Sequence, residues 1–148
     1  LNDTVLSVTP MPKPRMTRAD AWKKRPVVVK YWLWCDEIRR ECQGKGVVLT
    51  EVLSLVFVVP MPPSWSKKKK KEKDGTKHQQ RPDLDNYVKA YKDSFKSDDS
   101  FVYSYKNISK VWGYTGEIIV RGINDNQETK ESNKEAKEAK EGHETVHS

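Results

Sequence analysis

The chain has 148 residues, with 28 Lys and Arg against 21 Asp and Glu and a formal net charge of +7. That length favours one domain. No apolar run reaches about 18 residues, which excludes a membrane-spanning helix, and two cysteines exclude a disulfide-stapled module. The chain is therefore expected to be soluble and cytoplasmic. It opens on Leu1 rather than Met, which leaves its true start open.

The charge is uneven. From Asp125 onward seven acidic residues face four lysines, so that tail stands at −3 and the first 124 residues at +10. A body this basic points to a polyanionic partner, most often nucleic acid. His78, His143 and His147 are not paired with cysteines, so no zinc pattern is present.

In chain order, residues 3–9 (DTVLSVT) alternate weakly and suit a short strand. In PMPKPRMTR, Pro10, Pro12 and Pro14 hold an extended segment that presents Lys13, Arg15 and Arg18. Pro26 suits the first turn of a helix, and Gly44 and Gly46 suit its end. Between them Val28, Tyr31, Trp32, Cys35, Ile38 and Cys42 recur at spacings of three and four, which predicts an amphipathic helix with an aromatic stripe facing the core. On such a helix the two cysteines lie about 10 Å apart along the axis, too far for a disulfide, and read as buried, reduced thiols.

Residues 47–59 (VVLTEVLSLVFVV) are rich in β-branched residues and read as an interior strand stopped by Pro60, Pro62 and Pro63. Six of the seven residues from Lys67 to Lys73 are lysine, and the stretch 64–80 reads as a mobile loop. Lys67, Lys68, Lys69 and Lys70 are candidate phosphate contacts; the alternative is a solvated loop that only aids solubility. In RPDLDNYVKAYKDSF, Leu84, Tyr87, Val88, Tyr91 and Phe95 follow helical spacing, with Pro82 keeping Arg81 extended and Asp83 at the N-cap. Residues 101–106 and 115–120 read as strands joined through VWGY. The domain then spans 1–122, and residues 123–148 form a charged tail expected to be disordered. The sum is an α+β domain with helices packed on a small sheet.

Asp83 and Asp85 can be plain helix chemistry: a cap, a carboxylate at the positive end of the dipole, and a partner for Lys89 four residues on. Asp98 and Asp99 weaken that reading if the chain folds them back beside the helix start. Two carboxylates about 5 Å apart repel by about 3 kcal/mol at an effective dielectric near 20. Such a cluster needs a shared proton or a cation, and oxygen-only ligands select a hard one, Mg²⁺ or Mn²⁺. A hard metal on a basic surface points to phosphodiester hydrolysis, with Lys89 offsetting charge in the transition state. The alternatives are a non-catalytic nucleic-acid-binding module and, more weakly, a protein whose acidic tail folds over its own basic face.

PDLDNYVKAYKDSF followed by DDSFV resembles the metal-binding signature of the RusA-type Holliday junction resolvases, a family encoded mainly by phages and prophages. PMPKPRMTR, KKRPVVVKYW, VPMPPSWSKKKK and KVWGYTGEI extend the resemblance over roughly residues 5 to 120. It implies that Asp83, Asp85 and Asp99 bind Mg²⁺, with Mn²⁺ as a substitute. It implies that Lys89 is essential and that Asp98 is a supporting carboxylate. It also implies a mixed α/β homodimer that takes a four-way DNA junction in recombination and repair. Gln80, Arg81 and Pro82 stand where the best-known type has an arginine run, and Arg81 is the expected substitute.

Overall fold

The structure is a computed structural model that describes residues 3–122, the side chain of Asp99 excepted. The tail 123–148 lies outside the described residues. The elements run β1 (Thr4–Leu6), a 3₁₀ turn (Arg18–Ala21), α1 (Pro26–Lys45), β2 (Val52–Leu53), β3 (Leu55–Pro60), α2 (Lys67–Lys73) and α3 (Leu84–Asp93). A second 3₁₀ turn (Asp99–Phe101), β4 (Ser104–Tyr105), β5 (Ser109–Gly113) and β6 (Glu117–Val120) complete them. The architecture is α+β. A mixed four-stranded sheet has the order β1-β6-β3-β5, and β2 and β4 form a separate parallel pair.

β3 is an interior strand, antiparallel to β6 and parallel to β5. Its residues Leu55 and Phe57 are fully buried, and Ile118 of β6 pairs with Phe57 on the same face. Onto that face pack α1, through Tyr31, Trp34, Cys35 and Ile38, and α3, through Tyr87, Val88 and Tyr91. The Phe57 and Tyr87 rings stack at 5.5 Å. Arg39 of α1 donates to the carbonyl of Ser94 at 3.0 Å, which satisfies one acceptor at the end of α3. Cys35 and Cys42 are free and buried, and burial pushes the Cys42 thiol up to about 11.

The helix α1 begins at Pro26 as predicted, but it runs through Gly44 and stops at Gly46. That residue takes φ 70° and donates to the Cys42 and Gln43 carbonyls. The aromatic stripe needs one correction. Trp34, not Trp32, faces the core, because its indole N–H donates to the Thr9 carbonyl at 2.8 Å, whereas Trp32 is 49% exposed.

The largest correction concerns the lysine run, which forms helix α2 rather than an irregular loop. Ser66 caps it, its side chain accepting from the Lys69 N–H at 3.1 Å. The Lys69 ammonium lies 4.3 Å above the Trp65 ring, and Trp65 packs on Trp112 with centroids 4.8 Å apart. Lysine is a fair helix former, so a cap and one aromatic anchor can outweigh the mutual repulsion of exposed ammonium groups.

The strands after α3 also differ from expectation. Of residues 101–106 only Ser104 and Tyr105 are strand, because Asp98 caps the turn that holds Phe101. Three residues of the supposed connection VWGY, Val111, Trp112 and Gly113, belong to strand β5. Both rims of the sheet are covered. Along β5 run residues 75–78, with Gly75 N–H donating to Trp112 O, Trp112 N–H to Thr76 O and His78 N–H to Lys110 O. Along β1, Lys45 Nζ donates to Val5 O at 2.6 Å and Ser7 N–H to a Glu41 carboxylate oxygen at 3.3 Å.

Candidate active site

Helix α3 carries the site, and the turn before it sets where the helix starts. The segment 78–82 is held from below by β5. His78 is buried, stacked on Trp112 at 3.9 Å, and its Nδ1 accepts from the Gln80 N–H at 3.4 Å. Lys110 on β5 donates to the carbonyls of Gln80 at 2.5 Å and Pro82 at 2.6 Å. The Arg81–Pro82 peptide is cis. Arg81 is exposed at this turn, between the two carbonyls that Lys110 holds.

Asp83 stands at the N-cap of α3 but makes no capping hydrogen bond. Its carboxylate is exposed. Asp85 lies in the first turn, also exposed, with Lys89 Nζ 3.6 Å away. The capping reading of Asp83 is thus corrected in its chemistry though not in its position, while the Asp85–Lys89 pairing is present. An uncapped carboxylate next to a second one fits the donor chemistry of a hard divalent ion.

Among the described residues no group of three His, Cys, Asp or Glu is arranged to hold a metal ion. Asp83 and Asp85 are two of the three carboxylates that the sequence singles out, and both are exposed at the start of α3. The side chain of the third, Asp99, lies outside the described residues. Its neighbour Asp98 is engaged structurally. One oxygen accepts from the Ser100 N–H at 3.0 Å and from the Ser100 hydroxyl at 2.9 Å. These bonds, the backbone one first, lower the Asp98 carboxyl from its ordinary value.

Beside α3 lies the extended basic segment. Lys13 N–H donates to the Asn86 carbonyl at 3.1 Å, which lays Pro12–Arg15 along the first turn of the helix. Lys13, Arg15, Asn86, Lys89, Lys92 and Asp93 line a cleft of about 550 Å³ there. Lys13 and Arg15 are therefore brought to the same helix as Asp85 and Lys89. Arg18 is exposed in the first 3₁₀ turn and lines no part of this cleft. Lys67, Lys68, Lys69 and Lys70 are on α2 and line no part of it.

Among the described residues, Asp93 is the one carboxylate that lines the cleft. Its carboxylate accepts from the Tyr31 hydroxyl at 2.6 Å and meets Lys13 Nζ at 3.0 Å. Burial first, then this bond, pushes the Tyr31 hydroxyl well above its usual range, so Tyr31 remains a donor. Sequence reading passed over Asp93, Lys92 and Lys110. An acidic group in the last turn of a helix opposes the dipole and signals a partner elsewhere. Lys92 shares a helix face with Asp85, seven residues on. Lys110 carried no local signal, since its role depends on a contact across 28 residues.

A family model described as endodeoxyribonuclease RusA matches residues 7–121, most of the chain. No curated protein matches it.

Proposed function

The chain belongs to the RusA endodeoxyribonuclease family, and on that premise we propose that it is a Mg²⁺-dependent, structure-selective endonuclease. It resolves Holliday junctions and other branched DNA by paired phosphodiester hydrolysis, in recombination and repair. The family carries endodeoxyribonuclease activity; the metal, the junction and the pairing of cuts are the proposal. Two-fold junction symmetry suits a homodimer, one subunit for each nick.

Asp83 and Asp85 hold the ion, with Asp99 as the third carboxylate and Mn²⁺ as a possible substitute. When bound, the ion polarises a phosphoryl oxygen and lowers the pKa of water at neutral pH. Lys89, on the same helix face as Asp85, offsets negative charge on the phosphoryl oxygens as the bond breaks. Lys13 and Arg15 bind the strand beside it, and the lysines of α2 and Arg81 attract DNA from a wider area.

The observation that carries this reading is the Asp83 carboxylate, which occupies a cap position without capping. A pure DNA binder gains nothing from two exposed carboxylates on its basic face. The test is cleavage of a synthetic four-way junction. Symmetric nicks with Mg²⁺ and none in EDTA are expected. Asp85→Asn should abolish cutting while leaving junction binding equal or tighter, because it removes negative charge near phosphate. A junction that binds the wild-type protein and is never cut in Mg²⁺ or Mn²⁺ would leave only the non-catalytic binding module.

A further inference from the structure

Asp85, Lys89 and Lys92 lie on one face of α3 at i, i+4 and i+7. At about 1.5 Å rise per residue, Lys92 stands about 10 Å along the axis from Asp85, too far for both to serve one phosphate. The cleft begins where this face meets the extended segment, and it gathers four cationic side chains, Lys13, Arg15, Lys89 and Lys92, against one carboxylate, Asp93.

That carboxylate is already engaged by Tyr31 and Lys13. Lys92 is steadied without an acid: its Nζ lies 3.1 Å from the Tyr105 hydroxyl and 5.6 Å from the ring centre. Lys13 is fixed through its backbone bond to Asn86, and Arg15 through its carbonyl, which accepts from Arg25 at 2.9 Å. Arg25 in turn grips Asp20 with two bonds of 2.6 and 2.8 Å. Lys13 and Lys89 are paired with Asp93 and Asp85, whereas Lys92 and Arg15 meet no carboxylate among the described residues, so the charge of these two stays available to a ligand. A cleft with such an excess of positive charge is preorganised for an anion.

Resting on the nuclease reading above, we propose that this cleft seats a phosphodiester flanking the scissile one, so that the cut strand runs along α3 from Asp85 toward Lys92. Lys92 and Arg15 bind that flanking phosphate, Lys13 is placed by Asp93 and Tyr31, and the Asn86 side chain is available to the same phosphate or its sugar. The seat fixes the strand's course relative to the carboxylates, a task in which α2, which lines no part of the cleft, has no share.

The test replaces single phosphates around the cut by neutral methylphosphonates and measures junction affinity in Ca²⁺, without turnover. Wild-type protein should lose roughly tenfold in affinity at one flanking position. Lys92→Met and Arg15→Met should each bind unmodified junction more weakly and lose little more when that same phosphate is neutral. Lys68→Met on α2 should lose affinity additively with it. Additive losses for both Lys92→Met and Arg15→Met at every position would overturn the seat. Nicking in Mg²⁺ without this coupling overturns the seat alone; coupling without nicking supports the seat and overturns the nuclease reading.

Discussion

The ammonium of Lys110 donates to the carbonyl of Pro82 at 2.6 Å, one residue before Asp83, so a strand side chain fixes the point from which a site carboxylate departs. Its second bond, to Gln80, spans the turn. Lys110→Met removes both charge-assisted bonds and should cost about 1–3 kcal/mol in stability. The nicking rate at saturating junction should fall at least tenfold, with a raised Mg²⁺ requirement and nearly unchanged affinity for DNA. An unaltered rate would show that the turn holds its shape without the lysine.

Asp83 separates capping from catalysis. Substituting a working cap commonly costs about 1 kcal/mol. Asp83→Asn should instead shift the unfolding free energy by less than about 0.5 kcal/mol, since no cap bond is lost. Cutting should disappear. A large loss of stability by denaturant titration would return Asp83 to a structural role.

The lysine helix supplies a third expectation. Replacing Lys67 to Lys71 with serine should weaken binding to linear, forked and four-way DNA by similar factors and flatten the salt dependence. Ser66→Ala should raise amide exchange across 67–73 by removing the cap that Lys69 uses. A loss confined to four-way junctions would mean that α2 reads the branch itself.

His78 gives the fold a pH dependence. Burial first, and the Lys110 charge second, hold its imidazole below the ordinary value of 6.5. The folded pKa lies below the unfolded one, so the unfolded chain takes the proton first. Stability is complete above about pH 6.5 and declines as pH falls through that value toward the folded pKa. The melting temperature should drop by roughly 2–5 °C between pH 7.5 and 5.5. His78→Gln should remove most of this slope. A slope of equal size in that variant would assign it to other groups.

How far the sequence disclosed this molecule depended on the range of the forces involved. Helices α1 and α3 were legible because apolar spacing, Pro26 and Gly46 act within a turn or two. The buried cysteines followed from the same periodicity. The choice between Trp32 and Trp34 was not legible, since it turns on a bond from Trp34 to Thr9, 25 residues away. Helix α2 was hidden because repulsion within the lysine run is visible locally, whereas its anchor, Trp112, lies in a later strand. Strand β5 was mistaken for a connection for the same reason: Trp112 and Gly113 read as turn residues until β3 and residues 75–78 flank them. Gly113 needs no special backbone angle, but an added Cβ would collide with the Val58 side chain across the sheet. Of the candidate site, the D-x-D-N spacing singled out Asp83 and Asp85, and the i, i+4 relation to Asp85 singled out Lys89, while Asp93 and Lys110 act only through partners far along the chain.

Residues 75–78 are fastened to one margin of the four-stranded sheet, and at the other Lys45 and Glu41 each hold one backbone group, Val5 O and Ser7 N–H. A second copy of this chain cannot lengthen the sheet without first tearing away its own fastenings. A partner that leaves these contacts in place meets side chains rather than strand backbone at either margin.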